Sequence, residues 1–317
     1  MNKLPDFEIN DNWILARRGQ KNRVDPKRPY AWLTEKELAA SGKIEDTGVI
    51  FLTNRECPFR CLMCDLWKNT TDESVPPGVI PDQIEWALNK MPHVKQVKLY
   101  NSGSFFDTRA IPEKDYERIA SLLSGLKTVI VESHPALINH RCLAFRDMLK
   151  ADLQIALGLE TVHPEILMKL NKKMTLHDFT RAVSFLKLNG ILSRAFILLK
   201  PPFMSESEGI YWAERSIDFA FKAGAECCII IPVRAGNGAM DYLAENDLFS
   251  PPEILSLEKV VEYGIKLNAG CIFSDTWDLN LLPGCEKCAQ QRIRRLSEMN
   301  LKQEVTEQVR CECDTLK

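Results

Sequence analysis

The chain's 317 residues are 45% hydrophobic and 26% charged, an ordinary globular balance that supports a sizeable core, in one large domain with appendages or in two domains. A net charge of −2 gives no sign of a nucleic-acid or membrane-surface partner. The start, MNKLPDFEINDNW, lacks a basic segment followed by an apolar run, and no stretch of about 18 uncharged apolar residues follows, so neither a secretory signal nor a membrane span is expected.

In chain order, Arg17, Arg18, Lys21, Arg23, Lys27 and Arg28 make a basic run opposed only by Asp25. No aromatic stacking pattern accompanies these charges. Residues 1–46 therefore read as a basic extension, a solvated flexible arm in preference to a contact with RNA phosphates. From Val49 onward strands alternate with helices. The apolar run 49–53 suits a buried strand and leads directly into Cys57. Helical spacing over 81–88 is followed by strand character at 94–100, which ends on Asn101-Ser102-Gly103. A helix is expected over 115–123, a strand over 128–132, a helix over 140–149 and a strand over 153–157. An amphipathic helix at 176–188 leads to an apolar strand at 195–199, stopped by Pro201-Pro202. Helix 208–221 and strand 227–233 close the series, and Phe273 to Asp278 read as a late strand reaching the same mouth, its acids candidate substrate contacts.

Six β/α units result, and continuous apolar strands between amphipathic helices imply a parallel sheet with covered faces. An open doubly wound sheet would bind its ligand at a switch point, a barrel at the carboxyl ends of its strands. Unusual polar residues recur at nearly every strand's carboxyl end: Asn54, Ser102 to Asp107, Glu132, Glu160, Lys200 and Arg234. That recurrence favours an α/β barrel, complete or partial.

Eleven cysteines are many for a chain without a secretion signal, and in a reducing, cytoplasmic setting clustered thiols bind metal or do redox work. Cys142, Cys227, Cys228 and Cys271 stand in apolar surroundings as small hydrophobes. Cys57, Cys61 and Cys64 form a C-x3-C-x2-C loop directly after the first strand. Three thiolates this close can surround one corner of an iron–sulfur cubane and leave one iron open to an outside ligand.

With that spacing in that place, the sequence from about Val49 to Arg234 resembles the radical S-adenosylmethionine (SAM) superfamily. The resemblance implies a partial (β/α)6 barrel over 47–234, with a small cysteine-containing extension over 235–317. It implies a 4Fe–4S cluster on Cys57, Cys61 and Cys64 whose open iron binds SAM, reductive SAM cleavage to a 5′-deoxyadenosyl radical, and an electron donor such as flavodoxin or ferredoxin. Met63 stands where the family often has an aromatic residue near the adenine. Tyr100 to Asp107 resembles the family's glycine-rich segment, with Gly103 allowing close approach and positive φ and with Ser102 and Ser104 beside it. Gly158-Leu159-Glu160-Thr161 is similar to the GLES-like segment of elongator and methylthiotransferase types, which implies that Glu160 binds the SAM ribose or a nearby polar group. Glu132, Arg194 and Lys200 are further candidates for the same pocket, and His134 a weaker one as a lone histidine.

Cys285-x2-Cys288 with Cys311-x-Cys313 supplies four thiols, enough for closed tetrahedral zinc. A second iron–sulfur cluster and unliganded thiols stay open beside zinc. NSGSFFD, GLETVHPEILMKLNKKMT and this carboxyl-terminal pattern are most similar to the elongator-like group, and within it to the radical SAM subunit of archaeosine synthase. That similarity implies tRNA, or a nucleoside precursor, as the substrate. The alternative is a non-catalytic iron–sulfur or zinc protein of regulatory or binding function on the same fold.

Overall fold

The computed structural model describes residues 5–315; the outer ends of the 1–46 and 235–317 segments lie outside them. A short helix, α1 (Asp11–Leu15), precedes two antiparallel strands, β1 (Ala31–Leu38) and β2 (Ile44–Phe51). Helices and strands then alternate: α2 (Val79–Leu88), β3 (Gln96–Tyr100), α3 (Tyr116–Leu122), β4 (Thr128–Ser133), α4 (His140–Met148) and β5 (Asp152–Glu160). Next come α5 (Pro164–Lys169), α6 (Leu176–Leu188), β6 (Leu192–Leu199), α7 (Glu206–Ala223) and β7 (Cys227–Pro232). The chain continues through α8 (Ala239–Glu245), α9 (Ile254–Leu267), β8 (Cys271–Ser274) and α10 (Ala289–Lys302).

Local chemistry fixes the longest helices. Thr175 and Asp178 form a capping box at the start of α6, and Ser205 and Glu208 form one at the start of α7. Gly224 ends α7 at φ 105°, a left-handed position that glycine takes without a Cβ penalty.

The strands form one sheet in chain order, β1 to β8, in which every neighbouring pair after β1–β2 is parallel. The result is a curled half-barrel. Strand alternation then sorts the side chains into two sets. Val97, Leu99, Val129, Val131, Leu153, Ile155, Leu157, Ala195, Ile197 and Leu199 are buried in the layer between sheet and helices. Their neighbours Lys98, Tyr100, Glu132, Ala156, Gly158, Glu160, Arg194, Phe196 and Leu198 face the lumen, where they line a cavity of about 620 Å³.

The sheet extends beyond 47–234 at both edges. β1 falls within the 1–46 segment and carries Glu35 and Glu37 into the lumen; β8 and α10 come from the 235–317 segment. Arg17, Arg18 and Lys21 are packed, which corrects the expected solvated arm for the first half of the basic run, while Arg23, Lys27 and Arg28 are exposed. Arg17 stacks over Trp13 at 3.7 Å and Tyr242 at 4.3 Å, and Arg18 and Lys21 both pair with Glu56. Trp13 stands four residues before Arg17, but Tyr242 comes from far along the chain, so the sequence beside the charges shows only half of the stack. Helix α10 packs against both edge strands, β1 and β8, and closes the gap between them. Its Asn300 accepts from Ser274 N at 2.8 Å and donates to Ser274 O at 2.8 Å; Gln303 does the same with Ile272 N and O at 2.7 Å each. Two side-chain amides thus stand in for a ninth strand along the β8 edge. No described helix is long and apolar enough to cross a membrane.

Candidate active site

The loop from Cys57 to Cys64 follows β2 at the carboxyl end of the sheet, and all three cysteines line the cavity. Other segments hold its backbone. Leu62 N donates to Leu170 O at 2.9 Å, and Asn171 Nδ2 donates to Arg60 O at 2.7 Å. From the segment after β7, Asn237 Nδ2 donates to Leu62 O at 2.8 Å and Cys64 O at 3.1 Å. Leu62 is fully buried among Ile9, Ile14, Leu170, Leu198 and Met240. Glu56 gathers Arg18, Lys21 and Arg60 at the loop's start. A loop fixed on this many sides needs little reordering to take a metal group.

Gly103 packs closely on the loop: a Cβ added there would stand 3.1 Å from the Cys57 Cβ. The expected close approach is therefore made to a cysteine. The positive φ belongs to Ser102, at 53°, rather than to Gly103. Ser102 Oγ lies 3.2 Å from the Tyr30 hydroxyl, and Ser104 Oγ accepts from His134 N at 2.9 Å. Glu132 braces the same turn, accepting from Asn101 N at 2.8 Å and Gly103 N at 3.3 Å. Burial pushes its carboxyl up to about 7 against those amide hydrogen bonds.

Glu160 sits on a β-bulge at the end of β5, at φ 66°. Its Oε1 is 2.6 Å from the Lys172 ammonium, with both side chains under a tenth exposed. A Cβ at Gly158 would overlap both atoms, so the pair in this position rests on the glycine beneath it. Burial works against a charged Lys172, but the Glu160 carboxylate beside it favours the protonated amine. Lys172 lines the cavity beside the cysteines and was absent from the sequence reading, although NKKMT contains it. His134 lines the cavity with both ring nitrogens engaged: Nδ1 accepts from Ala136 N, Nε2 faces Lys172 O at 2.8 Å, and the ring stacks on Phe59.

Arg194 lies in the lumen away from the bulge, paired with Glu37 at 2.7 Å and donating to Gln154 at 2.5 Å. Lys98 completes this buried group by binding Glu35 at 2.6 Å and also Glu37. Lys200 is not among the cavity residues. Alternation would turn it inward, but at φ 52° the chain leaves the strand and its ammonium goes to Glu206, Ser250 and Pro251 O. Asp275 does reach the cavity, accepting from Trp277 N at 3.0 Å with Arg234 3.5 Å away. Tyr30, Phe51, Tyr100, Phe196, Phe273 and Trp277 supply aromatic walls that the strand pattern alone did not single out.

The donor set suits a soft metal group. Burial pushes the Cys57 and Cys64 thiols up to about 12 and Cys61 to about 11, so a metal's charge is what would make them thiolates here. The volume is within the range of about 300–1,000 Å³ typical of small-molecule sites. At the carboxyl-terminal group, the four sulfurs of Cys285, Cys288, Cys311 and Cys313 lie within 4.8 Å of one another, an arrangement that could hold a metal ion.

No family model matches the chain. An uncharacterized protein of Methanocaldococcus jannaschii is 27% identical over 97% of this chain and 93% of its own length. The archaeosine synthase subunit beta of Thermococcus kodakarensis is 25% identical over 50% of this chain and 51% of that subunit. Its counterpart in Methanosarcina acetivorans is 27% identical over 63% and 60%. The chain thus spans about half to three fifths of those two subunits. Among solved structures, Elp3 of the archaeon Methanocaldococcus infernus superposes with a TM-score of 0.52 at 15% identity, over 70% of this chain and 58% of that one. Methylornithine synthase (PylB) gives 0.51 at 16% identity, over 78% and 80%. These likenesses bear on fold alone, and that fold is the partial barrel that the strand and helix pattern implied.

Proposed function

We propose that this chain is a radical SAM enzyme, with a 4Fe–4S cluster on Cys57, Cys61 and Cys64 and SAM in the adjoining cavity. The observation that carries the reading is one: the three thiols of a C-x3-C-x2-C loop open together onto a cavity of about 620 Å³, at the carboxyl ends of a half-barrel's strands. A bound cluster of this kind supplies the electron that cleaves SAM reductively and releases a 5′-deoxyadenosyl radical for hydrogen abstraction. The chain's own residues do the rest. Lys172 places a fixed positive charge beside Cys57 and Cys61, offsetting part of their charge as thiolates. Glu132 holds Asn101 to Gly103 so that backbone, not side chain, faces Cys57. The aromatic walls keep water from a reactive intermediate.

The substrate we favour is a tRNA base or its precursor, supported by the likeness to the two archaeosine synthase subunits. A flavodoxin or ferredoxin is the electron donor in this reading. The reading also gives the chain two separate inorganic centres, the cluster at the mouth and a metal at the carboxyl-terminal cysteines.

The test has two arms. A Cys57, Cys61 and Cys64 triple alanine variant should fold and bind no cluster, seen as loss of the brown chromophore near 400 nm after anaerobic reconstitution. Modified nucleosides from cells with and without the gene should differ at one tRNA base. An unchanged nucleoside profile would remove tRNA and leave the enzyme reading standing; a native chain that takes up no more iron and sulfide than the triple variant would remove the enzyme reading itself.

A further inference from the structure

We infer that Cys285, Cys288, Cys311 and Cys313 form a closed, mononuclear zinc site whose place in the fold is to hold α10 as the wall that seals the barrel. The first observation is distance. Cys285 Sγ and Cys311 Sγ are 3.9 Å apart, and Cys288 Sγ and Cys313 Sγ 3.8 Å. Four sulfurs at about 2.3 Å from one zinc ion sit about 3.8 Å from each other in a tetrahedron. An iron–sulfur cubane spreads its four cysteine sulfurs wider, because each binds a different iron. The group here, all within 4.8 Å, matches the single ion.

The second observation is how the charge is met. Zinc with four thiolates carries a net charge of −2. Arg292 Nε lies 3.2 Å from Cys288 Sγ, and its guanidinium is held by the buried Glu258 at 2.5 Å. Arg295 braces the same carboxylate at 3.2 Å and Glu262 at 2.8 Å, and donates to the carbonyls of Thr306 and Glu307 in the returning tail. Cys288 is also the amino-terminal cap of α10, where the helix dipole favours a thiolate. All four positions would be filled by protein, with none left for substrate, so the role is structural.

The third observation is what the site holds. The paired cysteines stand at the two ends of a segment that contains α10. That helix presents Ser297, Asn300 and Leu301 to the cavity and bridges the unpaired edges of β1 and β8. The ion would therefore fix the cavity's side wall from outside, without touching the cluster loop.

Metal analysis of the whole chain tests the first part. We expect about one zinc per chain, unchanged in the triple alanine variant of Cys57, Cys61 and Cys64 and lost in Cys285→Ser with Cys288→Ser. If the serine variant fails to fold, cobalt substitution of the native chain still decides: Co2+ should give the intense visible bands of a tetrahedral tetrathiolate. Iron with sulfide in the triple alanine variant, an octahedral cobalt spectrum, or two disulfides and no metal would each overturn the site. Hydrogen exchange tests the second part. Removing zinc with a chelator should speed exchange of α10 amides at least about tenfold and leave α6 unchanged; equal protection of α10 with and without zinc would overturn the wall role.

Discussion

Lys172 and Glu160 illustrate how a residue's role can depend on its partner. Replacing Lys172 with Met leaves a carboxylate under a tenth exposed without its counter-ion, and breaking such a pair costs about 3–5 kcal/mol. Urea unfolding should read that loss, and the Lys172→Met, Glu160→Gln double variant should recover part of it, since the stranded charge is gone. The second buried group titrates in the opposite corner of the lumen. Burial would raise Glu37, but the Arg194 and Lys98 charges overcome it and hold the carboxyl down to about 2, below its ordinary 4.5. A depressed folded pKa contributes stability that is present above 4.5 and is lost as pH falls towards 2. Unfolding measured across that window should steepen on the acid side, by a few kcal/mol in all, and Glu37→Gln should flatten it. Glu160 was readable because GLET is a local signature at a strand end. Lys172 was not, because only a β-bulge and a loop return bring it under Glu160, and neither leaves a mark within three or four residues. Lys200 was misplaced for a related reason: one left-handed residue cancels the alternation that would have turned it inward.

At the scale of elements, α10 is the clearest case of a helix doing a strand's work. Asn300 makes three hydrogen bonds to Ser274 and Gln303 two to Ile272. At about 0.5–1.5 kcal/mol net per bond, Asn300→Ala should cost about 1.5–4.5 kcal/mol in thermal or urea unfolding, and Gln303→Ala about 1–3 kcal/mol. The two losses should not add, because either one loosens the same β8 edge. The six central strands were legible as apolar runs. β1 was not: AWLTEKEL carries Glu35 and Glu37 where a buried strand is usually apolar, and those charges are tolerated only because Lys98 and Arg194 arrive from β3 and β6. The cluster loop was legible from spacing alone, whereas its support was not. Leu62 is fully buried against residues from distant parts of the chain, Ile9 and Ile14 on one side in sequence and Leu170, Leu198 and Met240 on the other, and Leu62→Ala should cost about 2–5 kcal/mol and lower the yield of reconstituted cluster.

Across the whole molecule, chain order and space order coincide: strand follows strand around the half-barrel, and the loops at the carboxyl ends of its strands build one mouth. That regularity is why repeat counting recovered the architecture. The departures are the two edges, where the amino-terminal segment and α10 pack back onto the sheet through ion pairs and amide contacts that periodicity does not register. The central claim is that the thiols at that mouth hold a cluster that reduces SAM. Anaerobic reconstitution followed by reaction with SAM and dithionite measures it directly. The account predicts about four irons and four sulfides on Cys57, Cys61 and Cys64, with 5′-deoxyadenosine and methionine formed in equal amounts. A chain that takes up no iron at these cysteines, or that carries the cluster and leaves SAM intact under a strong reductant, would contradict it.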